Sequence, residues 1–293
     1  MSRCLVTGHK GYIGSRLFKK LKELGHEVCG IDLKDGTDIN SLQGLQENHQ
    51  GDFYSCWVDF NPEYIFHLAC FPRVGLSIEK PLMTMKNNVI AGSTVLNFAR
   101  KNKVKRVIYS SSSSIKGNGD GPISPYALQK MTTEIECKLY SDLYNLDTVS
   151  LRYFNVYSKD QPADGAYATA ISNWMKYINQ GKVPFITGTG EQRRDMLHVD
   201  DAVEANIFAM EHNKKFSGAV FDVGTGKNIS LNEAKKIVND HCPEVEFMYT
   251  SSRPGDAKFT LADPKGLKKL GWSANISIEH GLNTCFSSIK KGV

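Results

Sequence analysis

Cys4-Leu5-Val6-Thr7-Gly8-His9-Lys10-Gly11-Tyr12-Ile13-Gly14 opens the chain and decides its fold. Cys4 to Thr7 is a short apolar run, and the glycines that follow are spaced G-x-x-G-x-x-G. A helical pattern then runs from Ser15 to about Leu24, and Val28-Cys29-Gly30-Ile31 leads to Asp32. The order is strand, glycine turn, helix, and a second strand ending in a carboxylate, the setting in which such a turn holds a dinucleotide. Gly8 permits the tight turn, Gly11 lets a pyrophosphate approach the backbone, and Gly14 lets the helix pack closely on the strand. The helix N-terminus turns partial positive charge towards the phosphates. Asp32 can take both ribose hydroxyls and repels a 2′-phosphate, which argues for NAD over NADP. A glycine turn in an α/β protein that binds no nucleotide is the bland alternative; strand, helix and terminal Asp together make it a minor one.

Outward from this stretch, the 293 residues are 41% hydrophobic and 23% charged, as in an ordinary soluble globular protein of one large or two small domains. Net charge is +5, and basic residues such as Lys19, Lys20, Lys101, Lys103 and Lys105 fall near helix ends and strand starts. They form no long run with interleaved aromatics, so nucleic acid is not an expected partner. The seven cysteines contain no C-x-x-C, which suggests free thiols in a reducing compartment and no metal site. The N-terminus runs directly into a strand, leaving no room for a signal peptide, and no apolar run reaches membrane-spanning length. A cytoplasmic protein with no membrane partner is expected.

Apolar runs at 28–31, 64–69, 104–109 and 148–153 alternate with helical patterns at 82–100 and 125–144. Strands separated by helices imply an α/β fold with a doubly wound parallel sheet. Beyond Tyr157 the rhythm loosens: helix at 166–180, strand at 183–186, a glycine turn at 188–190, helix at 200–210, strand at 219–223, helix at 231–239. The expected division is a nucleotide-binding domain over 1–157, joined again by 196–224, and a smaller substrate-binding cap over 158–195 and 225–293.

Tyr126 and Lys130 lie four apart on one predicted helix and share a face. Ser124 is the expected N-cap and Pro125 the first helical residue, so Tyr126 sits in the first turn, where the macrodipole favours an anion. A nearby ammonium and a cationic nicotinamide would lower the phenol further; bringing it from about 10 to about 7 takes roughly 4 kcal/mol of preferential phenolate stabilisation. A phenolate near neutrality is a competent general base for a sugar hydroxyl. By itself Y-x-x-x-K is most often an ordinary helix surface.

The upstream turn, the serine run at 110–114 and the order along the chain raise it. The sequence resembles the extended short-chain dehydrogenase/reductase family, in its nucleotide-sugar epimerase/dehydratase branch. The resemblance is carried by Thr7 to Gly14, Phe66-His67-Leu68-Ala69, Val74-Gly75-x-Ser77, Asn87-Asn88-Val89, Ser110-Ser111-Ser112, Ser124-Pro125-Tyr126…Lys130, Arg152 to Tyr157, Gly188…Gln192…Arg194-Asp195, and Arg253-Pro254-Gly255-Asp256. It implies a Rossmann domain that binds NAD through Gly8, Gly11, Tyr12, Ile13, Gly14, Asp32, Asp38, Ile39, Leu68, Ala69, Ser110 and Tyr153. Ser112, Tyr126 and Lys130 would be catalytic: the serine bonds the reacting oxygen, the tyrosine is acid and base, and the lysine holds the ribose and tunes the phenol. Val74, Asn155, Val183, Phe185, Arg194, Arg253 and Thr260 would meet a nucleotide-diphosphate sugar. Two arginines can fork onto a pyrophosphate; without the family context, ion pairs with Asp195 and Asp256 would be preferred. Thr260 would limit room beside the sugar C2, and the helices at 82–100 and 125–144 would pair in a homodimer. His67 is expected to be a strand-end histidine satisfied by backbone, and Cys70 a packing residue.

The resemblance also narrows the reaction. Dehydratases of the family place Asp-Glu after the active-site hydroxyl, and decarboxylases a Glu at the second of those positions; Ser113 and Ser114 stand there instead. Reductive epimerases carry a cysteine and a later histidine that are absent. What remains needs only Ser112, Tyr126, Lys130 and NAD: oxidation of a sugar C4 hydroxyl and return of hydride to the other face. A UDP-hexose 4-epimerase is therefore expected, with another nucleotide-sugar dehydratase, dehydrogenase or reductase, or a non-catalytic NAD-binding regulator, as alternatives. Lys116 in place of a tyrosine, Ser158 in place of a glycine and a short 117–126 loop depart from the family pattern and bear on substrate identity.

Overall fold

A computed structural model describes residues 1–41, 59–164, 169–252, 258–287 and 289. Strands β1 (Arg3–Thr7), β2 (Glu27–Ile31), β3 (Tyr64–His67), β4 (Arg106–Ser112) and β5 (Asp147–Tyr153) are parallel neighbours in the order β2-β1-β3-β4-β5. The chain then leaves the sheet to form β6 (Phe185–Thr187) and β7 (Arg193–Arg194), and returns through the Val199–Glu211 helix as β8 (Ala219–Val223), parallel to β5. Outside this sheet, β6 pairs with β10 (Met248–Thr250) and β7 with β9 (Ile229–Ser230). The α/β class and doubly wound parallel sheet agree with the sequence reading.

Both faces of the sheet are covered, and the pleat sorts its side chains between them. Cys4, Val6, Phe66, Ile108 and Val149 pack with Leu17 and Leu21 of the Tyr12–Glu23 helix and with Ala202 and Ala205 of the Val199–Glu211 helix. Leu5, Ile65 and Val107 face the other way, onto Val95 and Phe98 of the Ala91–Lys101 helix and Cys137 of the Pro125–Tyr144 helix. Each fully buried aliphatic of this kind stabilises the fold by about 1.5–3 kcal/mol. A third apolar cluster, including Tyr157, Trp174, Ile186, Val238, Leu282 and Phe286, draws only on residues from Tyr157 onward.

Thr7 is level with both Ile31 and His67, so β1, β2 and β3 end together. After β2 the order jumps to the other side of β1. That reversal leaves a crevice outside the strand ends, where ligands of open α/β sheets bind.

The 82–100 helix is in fact three pieces: Pro81–Met85 α-helical, Lys86–Ile90 a π turn, and Ala91–Lys101 α-helical. The wide turn carries buried Asn88, which accepts from the Phe71 amide at 2.7 Å and donates to Gln129 Oε1 at 2.8 Å. One extra residue in a turn barely disturbs apolar periodicity, so the pattern does not reveal it. The strand expected at 104–109 runs on to Ser112, because Ser110 to Ser112 pair with Leu151 to Tyr153. The Pro125–Tyr144 helix matches its prediction: Ser124 Oγ accepts from the Ala127 amide at 3.2 Å, and Asn145 ends it in a left-handed conformation.

Candidate active site

The glycine turn is locked by two close approaches. Gly8 has φ +75°, and a Cβ there would stand 2.8 Å from the Ala69 nitrogen at the exit of β3; a Cβ on Gly14 would stand 2.1 Å from the Gly8 carbonyl oxygen. The third glycine thus packs on the first, not merely on the strand. Gly11 is the N-cap of the Tyr12–Glu23 helix, with no side chain capping it and no acid in the first turn. First-turn amides have no partner within their own helix, so this end is built for an anion.

A cavity of about 830 Å³ opens at this crevice. Its walls include Gly8, Gly11, Tyr12, Ile13 and Gly14 from the turn, and Asp32, Asp38 and Ile39 from the end of β2 and beyond. Leu68 and Ala69 after β3, Ser110 of β4, Tyr153 of β5, and Tyr126 and Lys130 of the helix complete the set. Every residue the sequence associates with NAD therefore lines one cavity. Asp32 accepts the Lys10 amide on one carboxylate oxygen and the Lys34 amide on the other, both at 3.0 Å, which holds it at the cavity rim. The segment after Tyr157 closes one side through Asp160, Pro162 and Asp164. It is tied to the first helix where Tyr12 Oη meets Ser158 Oγ at 2.7 Å and Arg16 pairs with Asp160.

Tyr126 is buried, its amide donating to Ser77 Oγ at 3.0 Å and its phenol close to Ser112, which itself lines neither cavity. Ser114 Oγ donates to Ser112 Oγ at 2.9 Å, leaving the Ser112 proton available to a third oxygen. Lys130 Nζ is directed at the Ser110 carbonyl, 2.7 Å away, and lies 4.9 Å from the centre of the Tyr109 ring. Burial pushes the Tyr126 phenol well above the usual tyrosine range, nearby Cys70 adds to the rise, and Ser112 opposes it. The lowering expected from Lys130 is therefore not delivered by the protein alone. Cys70, expected to be a packing residue, stands in the cavity wall. His67 is buried with Nδ1 against Thr7 Oγ1 at 2.8 Å and Nε2 without a hydrogen-bond partner among the described residues, so the backbone does not satisfy it.

A second cavity of about 200 Å³ holds Asn155, Phe185 and Arg194. Asn155 has φ +39°, and its Nδ2 donates to the Asp195 carbonyl at 2.6 Å and to Thr260 Oγ1 at 3.0 Å. Thr260 thus supports Asn155 from behind. Asp195 does not pair with Arg194: fully buried, its carboxylate accepts from the Thr225, Gly226 and Ala262 amides and the Thr225 hydroxyl. Val183 is exposed in the turn before β6 and lies outside both cavities, as does Val74, whose carbonyl accepts from Ser77 Oγ at 2.7 Å. Arg253 lies outside the described residues. Trp174, Asn173 and Gln192 line the second cavity and were missed as site residues. Gln192 falls within the Gly188…Gln192…Arg194-Asp195 motif; the helix carrying Asn173 and Trp174 offers no sequence signal beyond an apolar face.

The NAD dependent epimerase/dehydratase family matches over residues 4–224. The chain belongs to that family. Its relatives include a putative UDP-glucose 4-epimerase of Methanocaldococcus jannaschii, 29% identical with 98% of each chain covered. A UDP-glucuronate 4-epimerase of Thermodesulfobacterium geofontis is 30% identical, with 100% of this chain and 98% of the relative covered. Among solved structures, a UDP-glucose 4-epimerase of Thermotoga maritima with UDP-glucose superposes with a TM-score of 0.87 at 29% identity, covering 97% of both chains. NAD is the cofactor of this family. The residues present fit it: a glycine cradle that a Cβ would fill, an uncapped helix N-terminus, and a carboxylate at the end of β2. Among the described residues no cluster suited to a metal ion occurs and no helix is long and apolar enough to cross a membrane.

Proposed function

We propose that the protein is an NAD-dependent nucleotide-sugar 4-epimerase acting on UDP-glucose and UDP-galactose or their N-acetyl forms. The observation that carries this reading is that Tyr126 and Lys130 line the same cavity as Asp32 and the glycine turn. Gly11, Tyr12 and Ile13 would hold the pyrophosphate, Asp32 a ribose, and Lys130 the second ribose. Bound NAD supplies a reversible hydride acceptor at the sugar C4 and a positive charge near the phenol. Tyr126 takes the C4 hydroxyl proton as that charge lowers its pKa, and returns it after the sugar has turned. Ser112, receiving a hydrogen bond from Ser114, donates to the same oxygen and holds it in line with the phenol. Asn155, Phe185 and Arg194 would seat the nucleotide in the second cavity. The sequence Ser112-Ser113-Ser114 supplies no carboxylate for elimination or decarboxylation, which favours epimerisation over those alternatives.

Incubating the NAD-loaded protein with a panel of nucleotide sugars and resolving the products tests this. Interconversion of C4 epimers with no net change in NADH absorbance is expected; a 4-keto-6-deoxy sugar, or stoichiometric NADH release, would overturn it. A cytoplasmic homodimer accompanies the proposal. Leu128, Ile135, Leu139 and Leu143 remain exposed along the Pro125–Tyr144 helix, as does Leu82 beside it, an apolar surface suited to a second copy.

A further inference from the structure

Three successive serines close β4, and each is held by a different residue from one face of one helix. Tyr126, Lys130 and Glu134 recur every four residues on the Pro125–Tyr144 helix. Tyr126 lies close to Ser112, Lys130 Nζ donates to the Ser110 carbonyl, and Glu134 Oε1 accepts from Ser111 Oγ. The pleat turns the Ser111 side chain to the sheet face opposite to that of Ser110 and Ser112. Glu134 is 4% exposed and lines neither cavity. Its two oxygens take a fork from Arg152, Nε to Oε1 at 2.8 Å and Nη2 to Oε2 at 2.6 Å. Arg152 is the register partner of Ser111 on β5, so this one carboxylate ties two adjacent strands to the helix that carries Tyr126.

We propose that Glu134 is a positioning residue: acting through Ser111 and braced by Arg152, it fixes the tip of β4 against the helix so that the Ser112 hydroxyl stays aligned with the Tyr126 phenol. The proposal rests on the reading of Ser112 and Tyr126 as the reacting pair. A buried carboxylate is costly to keep, and apolar packing would stabilise this junction as well or better. What the ionic fork adds is direction, since paired N–H···O bonds fix angle as well as distance. The β4–β5 ladder fixes the strand register; apolar contacts alone would hold the helix against the sheet while leaving its height and angle over the β4 tip less closely set. Misplacement of about 1 Å at a reacting group costs on the order of 10²-fold in rate, so the junction is placed where small slippage matters most. Because Glu134 touches neither cavity, its loss is expected to act on turnover and not on binding.

The test uses the NAD-loaded full chain and the nucleotide sugar that turns over fastest in the panel above. Ser111→Ala removes only the hydroxyl link and leaves the Glu134–Arg152 pair in place; Glu134→Gln keeps an acceptor for Ser111 but weakens the fork. Each is expected to lower kcat by roughly tenfold to a hundredfold, with KM and NAD occupancy unchanged in Glu134→Gln; Ser111 lines the first cavity, so Ser111→Ala is compared at saturating NAD. The double variant is expected to be no slower than the slower single one, because both break the same linkage. Glu134→Asp, which restores charge at shorter reach, is expected to recover part of the Gln loss. Unchanged kcat in Ser111→Ala, with only a lowered melting temperature, overturns the proposal and leaves Glu134 as a stabilising pair. Ser112→Ala is measured alongside: full activity there overturns the catalytic reading itself, and the positioning role with it.

Discussion

Lys130 Nζ donates to the Ser110 carbonyl at 2.7 Å, while Tyr126, one helical turn earlier on the same face, lies close to Ser112. The lysine fastens helix to strand, and the phenol is left protonated by its burial. Tyr126→Phe is expected to retain NAD and lose about 10²–10⁴-fold in turnover. Lys130→Met is expected to lower NAD affinity as well. In ultraviolet titration, a phenolate signal that Tyr126→Phe abolishes is expected to move to lower pH when NAD is added. A signal indifferent to NAD would break the link between cofactor charge and proton transfer.

Gly14→Ala drives a methyl group into the Gly8 carbonyl, where 2.1 Å is available. Neither backbone can withdraw without opening the turn. Loss of NAD binding is expected with the sheet retained, read by calorimetric titration beside far-ultraviolet circular dichroism. Normal affinity in a folded variant would show that the turn does not form the phosphate cradle.

Arg106 and Asp147 form a buried ion pair at the start of β4 and β5, with Nε to Oδ2 at 2.6 Å. The guanidinium also donates to the carbonyls of Ala209, His212 and Lys214, closing the end of the Val199–Glu211 helix. Arg106→Leu leaves a buried carboxylate without its cation, and a loss of about 3–5 kcal/mol is expected in denaturant unfolding. The pair touches neither cavity, so activity per folded molecule is expected to stay at the parent level.

Burial, helped by the Lys130 charge, pushes the His67 imidazole down to about 3. The folded protein therefore keeps His67 neutral where the unfolded chain, with an ordinary value near 6.5, takes up a proton. Stability from this residue is complete above about pH 6.5 and is lost as pH falls towards 3, at up to about 1.4 kcal/mol per pH unit. His67→Phe is expected to flatten that part of the stability–pH curve, measured by urea unfolding at several pH values. An unaltered slope would mean that other groups carry the acid lability.

Thr260→Tyr adds bulk beside Asn155 and removes the hydroxyl that Asn155 Nδ2 reaches at 3.0 Å. The lost bond affects all substrates alike, whereas the added ring is expected to penalise N-acetylated sugars selectively. Ratios of kcat/KM for N-acetylated and parent sugars check this. Equal losses for both would remove Thr260 as a determinant of the sugar C2 side.

The sheet and the first cavity were legible because their determinants are local. Glycine spacing, a terminal Asp and alternating periodicities are properties of short segments, and the Ser124 cap sets the start of the helix carrying Tyr126 from its own residues. The second cavity was less so. Val183 is turned outward by the strand that follows it, Asp195 spends its carboxylate on three distant amides, and Asn173 with Trp174 reaches the cavity only through the packing of a remote helix. The π turn at Lys86–Ile90 escaped for a related reason, since its register is set by Phe71 and Gln129 and not by its own sequence. The Glu134–Arg152 junction needs β4, β5 and a helix in place before it exists at all.

Tyr153 walls the first cavity and Asn155 the second, and only Phe154 separates them along the chain. Phe154 is fully buried, so the piece of chain between the two cavities has little room to move on its own. A bound nucleotide and a bound dinucleotide would then feel each other through a single strand tip, with no relay across the molecule.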